Sequence, residues 1–465
     1  MLLFIDICTK MFFAIGILSW YKILYRIIGL ICIPVVRAPD PLKYKCTFHI
    51  TFRGKPYGLF CYPLKYQATE QKFTYAFAIA ARNESAVIGQ LIESIRKQTY
   101  DPSLLTVFVV ADNCSDNTAE ICRDMGCVVY ERFCPERARK GYALEFLFDH
   151  IENDYGIQSF DGFFFFDADN LLDTRYVEEM NKAFATGQTA VVSYRNTKNF
   201  ETNWVSSAYG MHFYNSTVTL HRPRSLLNIG TNITGTGFLL ASTHLAGGWH
   251  YYSLTEDAEL TLTLAAKGVK IAYCDTAEFF DEQPTKFRVA MRQRIRWDKG
   301  RLFNSFRRGG LPLIALFKHG MFTGYDLFFH FFPFPLIAMF NSIFVPVIML
   351  FYGIFGAGEI NVFRDFLFAY LITQAGLWLD SFSSAVLVLI REHRHIYTSK
   401  SRAMFYTFIF PWFGLIGPYS MLLALCQKVT WKPIVHTDGR RIGDIKPEEQ
   451  PRSGGAVPHS PAGDC

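Results

Sequence analysis

The sequence predicts an α/β catalytic domain, built on an open sheet and joined to apolar helices at both ends. Three observations carry that prediction. Short apolar segments alternate with helical stretches from Phe73 to Phe166, and each apolar segment runs into a polar loop. Apolar residues crowd into 1–36 and 321–427, whereas 68–310 has an ordinary globular mixture. A basic amphipathic stretch, 285–318, joins the domain to the second apolar region and carries Gln293-Arg294-Ile295-Arg296-Trp297.

Each element has its own justification. Residues 2–20 are apolar apart from Asp6 and Lys10, and 21–36 continue with Lys22 and Arg26. They read as a retained, tilted anchor that leaves the membrane on its basic side, with an interfacial second helix as the competing reading. Residues 37–67 carry Pro39, Pro41 and Pro63 and read as a linker or short strands. Strands are predicted at Phe73–Ala80, Leu105–Ala111, Val128–Arg132 and Phe163–Phe166. Helices are predicted at Glu84–Gln98, Thr118–Met125 and Lys140–Glu152. In such a sheet the ligand crevice lies at the carboxyl ends of the strands. The apolar runs 321–355, 362–390 and 403–427 predict three further spans. The basic loop 391–402 is placed in the cytosol and 356–361 outside. The tail, 428–465, is rich in Pro, Gly and charge and is predicted to be disordered.

The formal charge of +6 is modest, and its basic residues lie beside apolar segments, which argues for membrane topology rather than nucleic-acid binding. The 11 cysteines show no Cys-x-x-Cys pair, so neither a zinc site nor a disulfide framework is expected, and most are expected to be reduced. No P-loop or dinucleotide fingerprint is present.

The residues that carry chemistry fall in series. Asp167-Ala168-Asp169 ends a buried strand and offers hard oxygen ligands suited to magnesium or manganese on a nucleotide diphosphate. A simple turn after a strand is the plainer alternative. Thr255-Glu256-Asp257 opens a helix, where a carboxylate can be aimed at a hydroxyl as a general base; an N-terminal capping box is the alternative. On one helix, Gln293, Arg296 and Trp297 share a face. That face offers an amide, a guanidinium able to balance a leaving diphosphate, and an indole platform for a sugar ring.

In this order and spacing, Phe73 to Gly300 resembles the membrane-integrated processive family 2 glycosyltransferases, among them the cellulose, chitin, hyaluronan and poly-N-acetylglucosamine synthases. The resemblance implies a GT-A-type α/β domain (a nucleotide-diphospho-sugar transferase fold) with transmembrane helices and amphipathic interface helices. The implied organisation is an anchor at 1–36, a linker at 37–67, a cytosolic catalytic domain at 68–284, interface helices at 285–320, membrane helices at 321–427 and a tail at 428–465. Asp257 would be the base, with Glu256 orienting the site and Arg296 balancing charge. Asn83, Glu84, Asp112, Lys140, Asp167, Gln293 and Arg296 would hold the donor, with Asp112 reading uracil. Here the chain has Asp112-Asn113 where the family has two aspartates, which leaves that contact to Asp112. Asp169 and Asp167 would bind Mg2+ or Mn2+. Trp297, Gly235, Thr236 and Gly237 would meet the acceptor, and Asp380 would line a path for the product. The implied activity is inverting polymerisation of a UDP-sugar into a β-linked polysaccharide at the cytosolic face of a bacterial plasma membrane, with translocation. A non-processive enzyme acting on a membrane lipid, like the ceramide glucosyltransferases, is the alternative. Implied partners are a UDP-sugar, a growing glycan and membrane lipids; a homo-oligomer is compatible, and nucleic acid is not expected.

Overall fold

The computed structural model describes residues 21–30, 33–39, 43–332, 336, 339, 343, 347, 360–429 and 434–446. The predicted span 2–20, most of 333–359 and the tail beyond 446 lie outside them. After helix α1 (Tyr21–Leu30), strands β1 (Ile33–Arg37), β2 (Tyr44–Phe52) and β3 (Lys55–Pro63) form a separate antiparallel sheet in the order β1-β3-β2. The expected linker is therefore structured. Most of the described cysteines, six of eight, are free, but Cys46 and Cys61 lie directly opposite on β2 and β3 and form a disulfide. Direct cross-strand pairing brings the two Cα atoms close enough for a bridge, which spacing along the chain could not reveal.

The main domain runs β4 (Tyr75–Ala81), α2 (Ile88–Arg96), β5 (Leu105–Asp112), α3 (Thr118–Asp124), β6 (Val128–Arg132), α4 (Lys140–Asp154) and β7 (Gly162–Asp167). It continues with β8 (Leu171–Leu172), α5 (Tyr176–Phe184), β9 (Ala190–Thr197), α6 (Trp204–Ser216), α7 (Arg222–Leu226), β10 (Phe238–Ala241), α8 (Glu256–Ala266) and β11 (Ala272–Asp281). Its strands make one mixed sheet in the order β6-β5-β4-β7-β10-β9-β11-β8. β4 pairs in parallel with β5 on one side and β7 on the other, so the order in which successive strands join the sheet reverses there and opens a crevice at the carboxyl ends.

Side-chain alternation explains why the sheet is covered on both faces. Tyr75, Phe77, Ile79, Phe164 and Phe166 pack with α2 and α5 in one core. Ala76, Ala78, Phe163 and Phe165 pack with α4, Trp249 and α8 in the other. A period of two sends neighbours to opposite layers, so a run of four phenylalanines is what a doubly covered strand requires. Burial of each contributes roughly 1.5–3 kcal/mol.

Helices α9 (Phe287–Arg308), α10 (Leu311–His319), α11 (Phe322–Phe331), α12 (Ile360–Glu392), α13 (Lys400–Gly414) and α14 (Gly417–Cys426) follow. α9 packs on α8 and α14, and α6 packs on α12 and α13. Among the described residues one helical stretch, Lys400–Cys426, is long and apolar enough to cross a membrane, with a mean hydropathy of 1.6. Phe306, Phe317, Phe368, Phe405 and Trp412 leave large apolar faces exposed on these helices. Asp380 on α12 forms an ion pair with Arg26 on α1.

The tail also departs from expectation. Residues 434–446, ending in the short α15 (Ile442–Ile445), lie along the domain. Ile445 packs with Leu171 and Phe280, Lys446 pairs with Asp173 at 2.6 Å, and Arg441 pairs with Glu93 at 3.1 Å. A few apolar and charged anchors suffice to order a segment whose composition alone reads as disordered.

Candidate active site

The three central strands deliver their last residues to one cavity of about 550 Å³, lined by Arg82 and Glu84 after β4, Asp112 of β5, Asp167 of β7 and Asp169 just beyond it. Local hydrogen bonds fix each end. The Thr236 hydroxyl accepts from the Asp167 amide at 3.0 Å and donates to Asn170 at 2.5 Å. Asp169 is buried, and its carboxylate accepts from the Glu282 amide at 3.2 Å. Asn83 and Asn113 adopt left-handed backbone angles (φ 56° and 52°), which asparagine tolerates, and their side chains accept from the Ser115 and Cys134 amides, each at 2.7 Å. These two contacts lock the loops over the crevice.

Helix α9 forms the opposite wall through two adjacent rows of residues. One row grips the Thr255-Glu256-Asp257 loop. Arg296 donates to the Leu254 carbonyl at 3.0 Å, and Asn304 donates to the Thr255 carbonyl and hydroxyl at 3.2 and 3.0 Å. Arg308 pairs with Glu259, which accepts from the Tyr252 and Ser253 amides. Between them, a Cβ at Gly300 would stand 2.5 Å from the Thr255 side chain, so only glycine allows the helix this close. A spacing of four residues places all of these on one face. The other row, Gln293, Trp297 and Arg301, lines the cavity. The Thr255 hydroxyl makes no capping bond to α8, so the capping-box alternative is not what is formed.

Charge is concentrated here. Lys140 lies between the two halves, 2.5 Å from Asp167 and 2.9 Å from the Gly235 carbonyl. Burial pulls its ammonium down, but Asp167, Glu256 and Asp257 more than offset that and hold it above its ordinary range. Burial raises Glu256 to about 7, against the pull of Lys140 and Arg296. Burial also raises Asp257, opposed by the Ala258 amide, Arg296 and Lys140. Asp169 is raised to about 7 by burial and by Asp281, Asp167 and Glu84, with His436 opposing. His436 sits 3.1 Å from Glu84 and 3.8 Å from Asp169. Burial would lower its imidazole, but Asp169, Glu84 and Glu282 raise it to about 10.

Among the described residues no three carboxylate, imidazole or thiol groups converge tightly enough to cage a cation. The donor set nevertheless fits Mg2+ or Mn2+, which are held by one or two carboxylates together with substrate phosphates. Asp169 and Asp167 are such carboxylates, and the burial and crowding of acids that raise Asp169 are offset by a bound cation.

Comparison with known proteins agrees with this geometry. The model of the family described as glycosyltransferase like family 2 matches residues 72–300. Residues 72–300 form a glycosyltransferase family 2-like domain. Probable glycosyltransferase YdaM of Bacillus subtilis (strain 168) is 27% identical over 310 residues, covering 59% of this chain and 66% of YdaM. The low-salt glycan biosynthesis hexosyltransferase Agl6 of Haloferax volcanii is 32% identical over 82 residues, 18% of this chain and 19% of Agl6. The chain thus matches just under two thirds of the first relative and a fifth of the second. Among solved structures, the mannosyltransferase PcManGT of Pyrobaculum calidifontis in complex with GDP-Man and Mn2+ aligns with a TM-score of 0.48 at 16% identity, over 78% of this chain and 89% of that one. Residues 1–349 of S. aureus TarS in complex with UDP align at 0.36 and 12%, over 79% and 95%.

Within the family 2-like domain the cavity gathers Glu84, Asp112, Lys140, Asp167, Asp169, Gly235, Glu256, Asp257, Gln293, Arg296 and Trp297. Four of the expected site residues have other contacts in the structure. Thr236 is buried and spends its hydroxyl on β7, so it positions Asp167 rather than meeting an acceptor. Gly237 is a packing glycine: its φ is 68°, and a Cβ there would stand 2.1 Å from the Phe279 ring. Asp112 has both oxygens engaged, by Arg82 on one side and by Arg132 (2.6 Å) and Asn113 (2.8 Å) on the other. A base at this end meets a closed carboxylate–arginine cluster rather than a free carboxylate. Asn83 turns its amide oxygen to Ser115 and is part of the loop, not of the cavity lining. Sequence reasoning missed His436, which lies 352 residues from Glu84 with no motif around it. It also missed Asn304 and Gly300, although their spacing of four from Arg296 was a readable signal.

Proposed function

We propose that the chain is an inverting glycosyltransferase that moves a sugar from a UDP-sugar to a hydroxyl acceptor, and that it extends a β-linked glycan at a membrane. The observation that carries this reading is Lys140, which pairs with Asp167 and is close enough to Glu256 and Asp257 for their charges to act on it. The diphosphate end and the base end therefore meet across one cation. Asp257 takes the proton of the acceptor hydroxyl, whose oxygen forms a bond to the anomeric carbon. The bond from that carbon to the diphosphate oxygen breaks, and its electron pair leaves with UDP. Lys140 and Arg296 face the charge that develops. Asp169 and Asp167 would hold a divalent cation, which supplies charge neutralisation on the diphosphate. Trp297, braced edge-on by Tyr209 and Phe213, offers a ring for a sugar to stack on.

Membrane integration, with the domain on the cytosolic face, is part of this proposal. The apolar stretch Lys400–Cys426 and the exposed aromatic faces of α9, α10, α12 and α13 support it. The test uses the full chain in detergent with Mg2+ or Mn2+ and a panel of UDP-sugars, following UDP release and product mass together. Release with one donor and a high-mass, glycosidase-sensitive product is the expected result. Release with only a small lipid-linked product replaces polymerisation by single transfer, and no release with any donor removes the reading.

A further inference from the structure

The cavity continues past Asp257 to an end that the transfer chemistry does not use. Arg301, His212 and His330 line it there, beside Phe331 and Leu220. The Arg301 guanidinium makes no hydrogen bond or ion pair among the described residues, unlike the arginines of the gripping row. Burial lowers its guanidinium, and the one acid that opposes this, Asp298, is bonded to the Ser420 hydroxyl at 2.5 Å. Asp326 on α11 is committed to Arg224 at 2.6 Å and to the Tyr21 hydroxyl at 2.8 Å. The inner end is thus a cation with two imidazoles and apolar walls, and the acid that acts on it, Asp298, shares its carboxylate with the Ser420 hydroxyl. A half-buried guanidinium whose donors meet no acceptor among the described residues has them to offer to a ligand.

Its position says which ligand. Arg301 stands five residues beyond Arg296 on α9, about 7.5 Å along the axis at the usual rise per residue. Along the helix axis that separation is comparable with the span of one pyranose ring. Resting on the transfer reading above, we propose that Arg301 binds the anionic phosphate of an amphiphilic acceptor, whose sugar spans from Arg301 to Asp257 and whose aliphatic part continues along Phe331 and Leu220. Guanidinium is suited to phosphate through paired N–H donors, which neither imidazole provides.

The test compares equilibrium binding of dodecyl phosphate, neutral dodecyl glucoside and inorganic phosphate to the full chain in neutral detergent, with UDP binding measured in parallel. Dodecyl phosphate is expected to bind at least tenfold more tightly than dodecyl glucoside. Arg301→Gln is expected to remove that difference, and Arg301→Lys to keep part of it, while UDP affinity stays within about twofold and the thermal midpoint is unchanged. Inorganic phosphate binding as tightly as dodecyl phosphate, with the same Arg301 dependence, assigns the anion to a water-soluble sugar phosphate and overturns the lipid part. Equal binding of the phosphate and glucoside amphiphiles, or an Arg301→Gln variant that still prefers phosphate, overturns the proposal. Loss of UDP binding in both Arg301 variants moves Arg301 to the donor site and overturns it too. Failure of UDP to bind the wild-type chain strikes the transfer reading itself, which keeps the two failures distinct.

Discussion

The strand-end half of the cavity and the helix half are built on opposite plans. At the strand ends nearly every charge has a partner within the chain: Asp112 with Arg82 and Arg132, Asp167 with Lys140, Glu84 with His436, and Arg195 with Asp281. On α9 one row is equally committed, but the neighbouring row is open. Among the described residues the Gln293 amide oxygen is buried without a partner, and the Arg301 guanidinium makes no hydrogen bond. Paired groups are held in place before any ligand arrives, and rigid placement is what stabilising a diphosphate demands. Open groups are complete only when something enters. The difference separates a preorganised donor half from an acceptor half that awaits its ligand.

Three substitutions test that division, and they are ordered by expected effect. Asp257→Asn is expected to lower kcat by about 10²–10⁴-fold while UDP affinity stays within a few fold; single-turnover kinetics beside UDP titration reads both. Equal losses in both quantities would place Asp257 in the donor half. Lys140→Ala is expected to cost about 30–1000-fold in kcat/KM through the donor, since it removes a charge from the leaving group and leaves Asp167 unpaired. Asn304→Ala touches no ligand, but it frees the loop before Asp257. A drop of about tenfold in kcat with an unchanged donor KM is expected, and a change in KM alone would show that the loop is not what it positions.

Acidity sharpens the same contrast. Because burial raises Asp257 as a base, transfer is expected to fall on acidification at a pH above the ordinary carboxylate range, which a pH–rate profile reads. Glu256 gives the smallest effect and an opposite sign in stability. Its folded value, about 7, lies above the ordinary 4.5, so its contribution to folding is present below 4.5 and lost as pH rises through 7. Glu256→Gln is therefore expected to raise the thermal midpoint near about pH 8.5 and leave it unchanged near about pH 4, with a gain on the order of 3 kcal/mol at most. A lower midpoint at the higher pH would mean that the carboxylate is stabilising as charged.

The same two halves explain what the sequence could reveal. β4, β5 and β7 each end in a polar motif, and alternation along a doubly buried strand is unmistakable in Phe163–Phe166, so the donor half was legible from local pattern. Trp297 and Gln293 were legible as one face of a helix. The remainder depends on distant chain segments meeting. His436 reaches Glu84 and Asp169 only because Ile445 and Lys446 anchor the segment beyond it. The Cys46–Cys61 bridge depends on strand register. Gly237 looked available to a ligand until β11 brought the Phe279 ring against it.

The most direct test of the account is a structure of the full chain with UDP and Mn2+. The account predicts the diphosphate between Lys140 and the Asp167–Asp169 pair, with the uridine toward Arg82 and Asp112 and the space beside Trp297 and Arg301 left for an acceptor. UDP bound instead in the separate cavity of about 250 Å³ near Lys65 and Tyr66, or with its diphosphate on Arg301, would contradict it.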